Sequence, residues 1–555
     1  MRVREASNGL TALAVAGNHV VLLGWDLPAD VIRSEPVLGF GIRRTRNSDG
    51  ETNWLKGTKT FASVTPDPAP GVQVSSFTHP FQTFQWADFT VSPGQTYTYR
   101  IVAMKGMPGQ TKAYAEVNLT VTTESIEVGK HAVFFNRGAV ASQEYARRFQ
   151  NRPPDEIGQS AFDWLSRGLF EELMAFITRT QSGDALYGAF FEFQNSQVFD
   201  ALAAAAARGV TVQVRYDSDS AAEANEEALA GAGIDALVKP REHSGGFAHN
   251  KFLVFCRGDE AREVWTGSTN LTQNGIYGHS NNAHVVRDTD VADQYLKYWR
   301  VLDADKTRKP TSGDVEAISK APPDPWSRET SVVFSPRTDL KALDWYAKLA
   351  TEAQRAMFGT FAFGMNDRFV RAYEGGPSNV LRFALMEKKG NGAQYKQQAD
   401  DVDRIRQLPN VVVSVGHRIE LNAFDRWLEE LDRIVVEAHV LYVHTKYLLI
   451  DPLGSEPIVI VGSANFSAAS TTDNDENMLI IRGNASVADI YLGEFMRLFS
   501  HYAFRESLTF AGADSGVAAE RTKHLLEDAS WIEPGTGYFD AGQDRALRRI
   551  YFSGQ

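Results

Sequence analysis

Two short constellations in this chain have residue types and spacing that can share one piece of chemistry. The first is His249-Asn-Lys251, followed by Gly267-Ser268-Thr269-Asn270. The second is His444-Thr-Lys446, followed by Gly462-Ser463-Ala464-Asn465. Counted from the histidine, lysine stands at +2, serine at +19 and asparagine at +21 in both copies; at +32 the first copy has Asn281 and the second Glu476. The histidines are 195 residues apart. Either one alone reads as an ordinary surface or core residue. Repetition of the whole set at equal offsets argues against that.

Such a set suits attack on a phosphodiester. The substrate is an anion, so its phosphoryl oxygens need positive charge and hydrogen-bond donors, which two lysines and two asparagines supply. A neutral histidine can attack phosphorus and a protonated one can donate to the leaving oxygen, then take a proton from water. His-x-Lys on a strand places both side chains on one face. Glycine in Gly-Ser-x-Asn lets the backbone come close to a ligand. By local chemistry Glu476 is expected to hold the His444 ring as the third group of a triad does. Asn281 is expected to orient His249 without adding charge. That reading makes His444 the nucleophile and His249 the acid/base.

The elements around the motifs repeat as well. Ala161–Arg179 has helical apolar spacing, Leu186–Phe193 and Val210–Tyr216 read as strands, and Val198–Ala207 and Ala221–Ala232 as helices. Later, Leu340–Phe358 reads as a helix overlapping a strand at Phe358–Phe363; a strand at Val411–Ser414 and a segment at Arg433–Val440 flank a helix at Leu421–Leu431. Alternating strands and helices indicate an α/β layered fold. Residues 1–125 differ. Short alternating strands at His19–Trp25, Val37–Arg43, Tyr97–Ala103 and Ala113–Val121, separated by turn signals, predict a β-sandwich with Trp25 in its core.

The paired motifs resemble the phospholipase D superfamily, in which His-x-Lys is followed by four variable residues, an aspartate and a downstream Gly-Ser-x-Asn. The resemblance covers roughly residues 131–506. It implies a duplicated α/β fold, with two mixed sheets flanked by helices in pseudo-two-fold arrangement, one active site at their interface and no metal or other cofactor. It also implies that His249 and His444 are the nucleophile and acid/base pair, often with the N-terminal histidine as nucleophile. Lys251, Lys446, Asn270 and Asn465 would hold the phosphate, with Ser268 and Ser463 nearby. The motif aspartate, structural more than chemical in the family, is Asp451 in the second copy; the first has Cys256 there. The first 125 residues resemble a fibronectin type III module through Trp25, Pro28 and the Pro93-Gly94…Tyr97…Tyr99 run. The expected organisation is therefore a β-sandwich at 1–125, a first half at 126–310, a Pro/Ser/Asp-rich linker at 311–329, a second half at 330–506, and a tail at 507–555 packed on the catalytic body.

Composition narrows the partners. The 555 residues are 43% hydrophobic and 23% charged, as in globular proteins, with net charge -12 and one cysteine. A broad basic surface for duplex nucleic acid is not indicated. No signal peptide or spanning segment is read, so a cytoplasmic protein without stable membrane insertion is expected. His243, His279 and His284 lie near the first motif but fit no compact metal-ligand spacing. His243 is read as a residue that could line the cleft. The expected substrate is a phosphodiester, with phospholipid headgroup cleavage ahead of nuclease or nucleic-acid end-processing activity. A degenerate phosphoester-binding protein is the alternative from another class. The oligomeric state is open, and a monomer is compatible.

Overall fold

The computed structural model describes residues 1–69, 72–138, 142–389, 395–416, 443–513 and 523–555. The expected helix at Leu421–Leu431 and the segment Arg433–Val440 lie outside them. The N-terminal residues form two four-stranded antiparallel sheets. One contains Arg2–Ser7, Leu10–Ala16, Val21–Asp26 and Gln85–Asp88; the other contains Gln110–Thr122, Thr96–Met107, Val37–Arg46 and Thr52–Trp54. Their inward-facing residues make one core around Trp25, Phe40, Tyr99 and Leu119. The Tyr99 hydroxyl donates to Asp88 at 2.9 Å, which satisfies a buried polar tip.

The motifs stand on two larger mixed sheets. The first is eight-stranded, in the order Glu127–Val128, His131–Phe135, Asn282–Val286, Glu260–Gly267, Lys251–Arg257, Asp184–Phe190, Thr211–Asp217 and Val238–Arg241. The second is seven-stranded, in the order Thr330–Ser335, Glu476–Arg482, Ile458–Gly462, Tyr447–Ile450, Ala356–Phe361, Leu381–Met386 and Val411–Val415. Beyond the extra edge strand of the first sheet, the orders correspond strand by strand. The last three strands of each are parallel, and the remaining pairs are antiparallel. One hydrophobic core joins the two sheets, from Phe252 and Trp265 in the first to Phe358 and Tyr447 in the second.

Each sheet is followed by a helix that reaches the other half. Thr289–Asp303 brings the Tyr295 hydroxyl to Asn477 Oδ1 at 2.9 Å. Ala485–Ala513 brings Tyr491 to Asn282, whose Nδ2 donates to the Tyr491 hydroxyl at 3.3 Å. Among the described residues, no helix is long and apolar enough to cross a membrane.

Several expected boundaries move, for identifiable reasons. The helix expected over Ala161–Arg179 is two helices, Gln159–Ser166 and Leu169–Thr178. The break is at Arg167, in the left-handed region at φ 52, where the guanidinium donates to Phe135 O at 2.7 Å and meets buried Glu494 at 2.6 Å. The stretch read as a linker begins inside a helix, Arg308–Ile318, which buries Thr311, Ser312 and Val315. Pro310 lies in its first turn, where a missing N–H costs little.

The helix Ala485–Ala513 runs across the expected start of the tail. The tail itself packs on the N-terminal sheets as well as on the catalytic body. His524–Leu525 pairs with Thr60–Phe61, and Trp531 Nε1 donates to Val37 O at 3.0 Å. Arg549 pairs with Asp26, while Tyr551 packs near Phe358.

The unequal motif aspartate also has a physical account. Asp451 accepts three backbone N–H bonds, from Gln354 at 2.8 Å, Arg355 at 2.7 Å and Ala356 at 3.0 Å. It thus brackets the turn that enters the central strand Ala356–Phe361. In the first half Cys256 is fully buried opposite Ala185, and the equivalent turn is held from its own strand by Asp184, which accepts from Gln181 N at 2.8 Å. Asp451→Ala should therefore lower stability by about 1–2 kcal/mol, the scale of losing charge-assisted bonds at a half-exposed site. Chemical denaturation would check this, and a change below about 0.5 kcal/mol would contradict the bracket.

Candidate active site

Both histidines sit just before a strand rather than within it: His249 and Asn250 precede Lys251–Arg257, and His444 to Lys446 precede Tyr447–Ile450. This departs from the expected in-strand placement, but the lysine still folds back onto its own motif. Lys251 Nζ donates to His249 O at 2.7 Å and Lys446 Nζ to His444 O at 2.6 Å. A carboxylate at the end of the strand beyond the central one fixes the approach in each half. Asp217 accepts from Ala248 N at 2.8 Å, and Glu387 from Val443 N at 2.8 Å. Asp217 ends its strand and Glu387 directly follows the equivalent strand, and nothing in the motif spacing announces them.

The glycines of Gly-Ser-x-Asn are demanded by close approach. A Cβ on Gly267 would lie 2.3 Å from Asn282 O, and one on Gly462 would lie 2.1 Å from Asn477 O. That packing seats each serine against the neighbouring strand. Ser268 Oγ donates to Asn281 Oδ1 at 2.8 Å, and Ser463 Oγ accepts from Asn477 N at 3.0 Å.

The +32 residues cross between the halves. Glu476 accepts from His249 Nδ1, with its two oxygens at 3.0 and 2.9 Å. Asn281 Oδ1 accepts from His444 Nδ1 at 2.8 Å. The expected pairing is thereby reversed: Glu476 holds His249, not His444, and Asn281 orients His444, not His249. The reason is topological. Each +32 residue lies at the end of its own half that faces the partner, as the parallel bridge between Ser280 and Val443 and the bond from Asp475 N to Phe247 O at 2.9 Å also record. Asn281 is locked in orientation because its Nδ2 donates to Gly275 O at 2.7 Å.

The two halves thus bring His249, Lys251, His444, Lys446, Glu476 and Asn281 into one buried cluster. Burial pushes the His249 imidazole down to about 4; Glu476 opposes this and Lys251 adds to it. His444 lies well below its ordinary value, through burial first and then Lys446, His279 and Lys251. Burial also brings Lys251 down to about 8, against the pull of Glu476 and Glu192, and places Lys446 well below its ordinary range. For Glu476 burial acts upward, but His249, Lys251 and the Ser463 hydrogen bond outweigh it and hold the carboxyl low.

Further residues complete the surroundings. Asn270 Nδ2 donates to Glu192 Oε2 at 2.6 Å. Asn465 N donates to Ser470 Oγ at 3.2 Å, and the side-chain oxygens of both asparagines are buried without a hydrogen-bond partner. Phe191 packs on His249 with ring centroids 4.8 Å apart and lies under Lys251 Nζ at 4.9 Å. His279 packs on His444 at 5.2 Å.

Glu192 was not visible as a site residue, because it follows a strand end with no motif around it. His279 shows its part only once the chain has folded. His243, read as a cleft residue, is instead exposed and bound to Asp305 at 3.0 Å. His284 is packed, bonding His131 at 2.9 Å and Tyr491 at 3.0 Å. The loops after the central strands serve as helix caps, with Asn195 accepting from Val198 N and Asn366 from Arg368 N, both at 3.1 Å.

Parts of the chain are similar to known proteins. The family described as cardiolipin synthase, PLD-like domain matches residues 173–302 and 409–499, which carry both motifs. A phospholipase D from Rickettsia bellii is 29% identical over 122 residues, 21% of this chain and 55% of that protein. The chain therefore spans about half the length of the curated relative it matches. Among solved structures, phosphatidylserine synthase of Haemophilus influenzae is 11% identical with a TM-score of 0.40, covering 70% of this chain and 91% of that one. The phospholipase D family member Nuc of Salmonella typhimurium is 16% identical with a TM-score of 0.22, covering 31% of this chain and 94% of that one. The segments that carry the two motifs thus match a phospholipase D-like domain, and the curated relative is a phospholipase D.

The depressed imidazoles have a consequence for stability. His249 is lowered from 6.5 to about 4 by burial, and His444 lies well below 6.5. Between those values and 6.5 the unfolded chain binds more protons than the folded one, so their contribution is lost as pH falls through that window. Replacing both by asparagine should flatten the loss of stability between pH 6.5 and 5 by roughly 1 kcal/mol per pH unit for each imidazole. Denaturation curves at the two pH values would show it; equal slopes in both proteins would contradict it.

Proposed function

We propose that this protein is a metal-independent phosphodiester hydrolase of phospholipase D type, working through a phosphohistidine. The observation that carries the reading is the paired imidazoles. Each has Nδ1 engaged by a +32 residue from the opposite half, which leaves Nε2 for chemistry beside two buried lysines.

In this reading His249 is the nucleophile, reversing the assignment drawn from the sequence. The carboxylate belongs with the ring that becomes positive, and Glu476 lies on His249. The His249 Nε2 lone pair attacks phosphorus, forming an N–P bond. The P–O bond to the leaving group breaks, and that oxygen takes the proton from His444. Water then attacks phosphorus and gives its proton to His444, the N–P bond breaks, and His249 regains its lone pair. A bound diester brings negative charge between Lys251 and Lys446, which raises the pKa of His444 from its depressed value and lets it carry the proton. Lys251, Lys446, Asn270 and Asn465 stabilise the phosphoryl oxygens. Ser268, Ser463 and Asn281 are positioning residues, and Asp451 is structural.

Phospholipid is kept ahead of nucleic acid as substrate because the chain carries net charge -12 and its curated relative is named phospholipase D. Phe247, 43% exposed beside Phe191, offers an apolar lip at the site. The N-terminal sheets are read as a fibronectin type III-like spacer or binding module, and the two motif-bearing halves as a pseudo-two-fold duplication.

Assays on phosphatidylcholine vesicles, bis-p-nitrophenyl phosphate and labelled single-stranded DNA in chelator-containing buffer test this. Turnover should persist without metal and fall by at least about a hundredfold in the His249→Ala/His444→Ala protein, the scale of losing positioned proton transfer. Turnover unchanged in that protein would refute the site. Faster cleavage of DNA than of lipid would reverse the substrate order.

A further inference from the structure

Glu192 places a carboxylate where an anion is meant to bind. The central strand Asp184–Phe190 ends just before it, and its backbone is tied to the Gly-Ser-x-Asn segment because Leu271 N donates to Glu192 O at 3.0 Å. Its side chain, partly buried, accepts from Asn270 Nδ2 at 2.6 Å. Lys251 and Lys446 both lie within its field. The second half has no counterpart. Phe361 ends the equivalent strand as Phe190 ends this one, so the position matching Glu192 is held by Phe363, under Lys388 Nζ at 5.5 Å.

Two carboxylates stand against the two lysines before any ligand enters. Glu476 is held low by His249 and Lys251, whereas burial pushes the Glu192 carboxyl up against the pull of Lys251, Asn270 and Lys446. Glu476 is committed to His249. Glu192 accepts from Asn270, one of the amides that the proposed mechanism gives to the phosphate, and would therefore stand beside a bound phosphoryl group. A phosphodiester brings one negative charge, which the proton on His444 can match. A phosphomonoester or inorganic phosphate brings up to two, and the second meets Glu192 uncompensated.

We propose that Glu192 is a specificity-determining residue that makes this site prefer singly charged phosphoryl groups and expel the doubly charged product of its own reaction. This rests on the phosphodiesterase reading of the same site. Hydrolysis of a diester yields a monoester, so the same carboxylate that admits substrate disfavours product. Coulomb energy scales with the product of charges. Removing the Glu192 charge should therefore tighten a dianion by about the square of the factor gained by a monoanion.

Calorimetric titration with sulfate, a tetrahedral dianion, and dimethyl phosphate, a monoanion, tests this on the full chain. Glu192→Gln keeps an acceptor for Asn270. It should tighten sulfate roughly tenfold and dimethyl phosphate roughly threefold. Glu192→Asp, which keeps the charge, should leave the ratio of the two affinities at the wild-type value. Lys446→Gln should weaken both ligands, which marks the site they occupy. If both ligands need Lys446 but their ratio is the same in wild type and Glu192→Gln, the role of Glu192 is overturned while the phosphodiester site stands. If neither ligand is affected by Lys446→Gln, the anion site and with it this inference both fall.

Discussion

Glu476 and His249 come from opposite halves of the chain and meet in a buried interior, where water solvates neither. A buried carboxylate without a partner is costly, and removing one member of such a pair typically costs about 3–5 kcal/mol. The hydrogen bond between them, at 2.9 Å, therefore ties the assembly of the two halves to the assembly of the site. His444 with Asn281 repeats the device without the charge. Tyr295 with Asn477, and Tyr491 with Asn282, repeat it again one layer deeper. A half on its own would hold its histidine and lysine but not the group that orients the ring.

The two crossings are chemically unequal, and in the proposed mechanism that inequality divides the labour. A carboxylate behind His249 would stabilise that ring as it becomes cationic. An amide oxygen behind His444 fixes the ring and its Nδ1 proton without holding a charge, so the ring can gain and lose a proton as its surroundings change. Glu192 adds a second asymmetry on the phosphate side, where Phe363 occupies the matching place. Similar strand orders around the two motifs thus carry different neighbours for the two histidines.

Much of this was legible in the sequence. Equal offsets located every motif residue, the apolar patterns located most strands, and the glycines before Ser268 and Ser463 announced a close approach that their neighbours now explain. The partner of each histidine was not legible. Offset +32 says that Asn281 and Glu476 are equivalent, but only the sheet order decides whether each serves its own half or the other. Asp217, Glu387 and Glu192 were missed because each is a lone carboxylate at a strand end, meaningful only through the strand beside it. Arg167 broke a helix that periodicity drew as continuous, because its tie to Glu494, distant in sequence, outweighs local propensity. The tail was misplaced in part for the same reason. Trp531 and Arg549 find their partners in the first forty residues.

The central claim is that the carboxylate of the second half makes the histidine of the first the nucleophile. The most direct measurement is peptide mass spectrometry on protein mixed with bis-p-nitrophenyl phosphate and quenched in alkali, which preserves a phosphoramidate bond. The account predicts a phosphoryl adduct on the peptide containing His249. An adduct on the peptide containing His444, with none on His249, would contradict it.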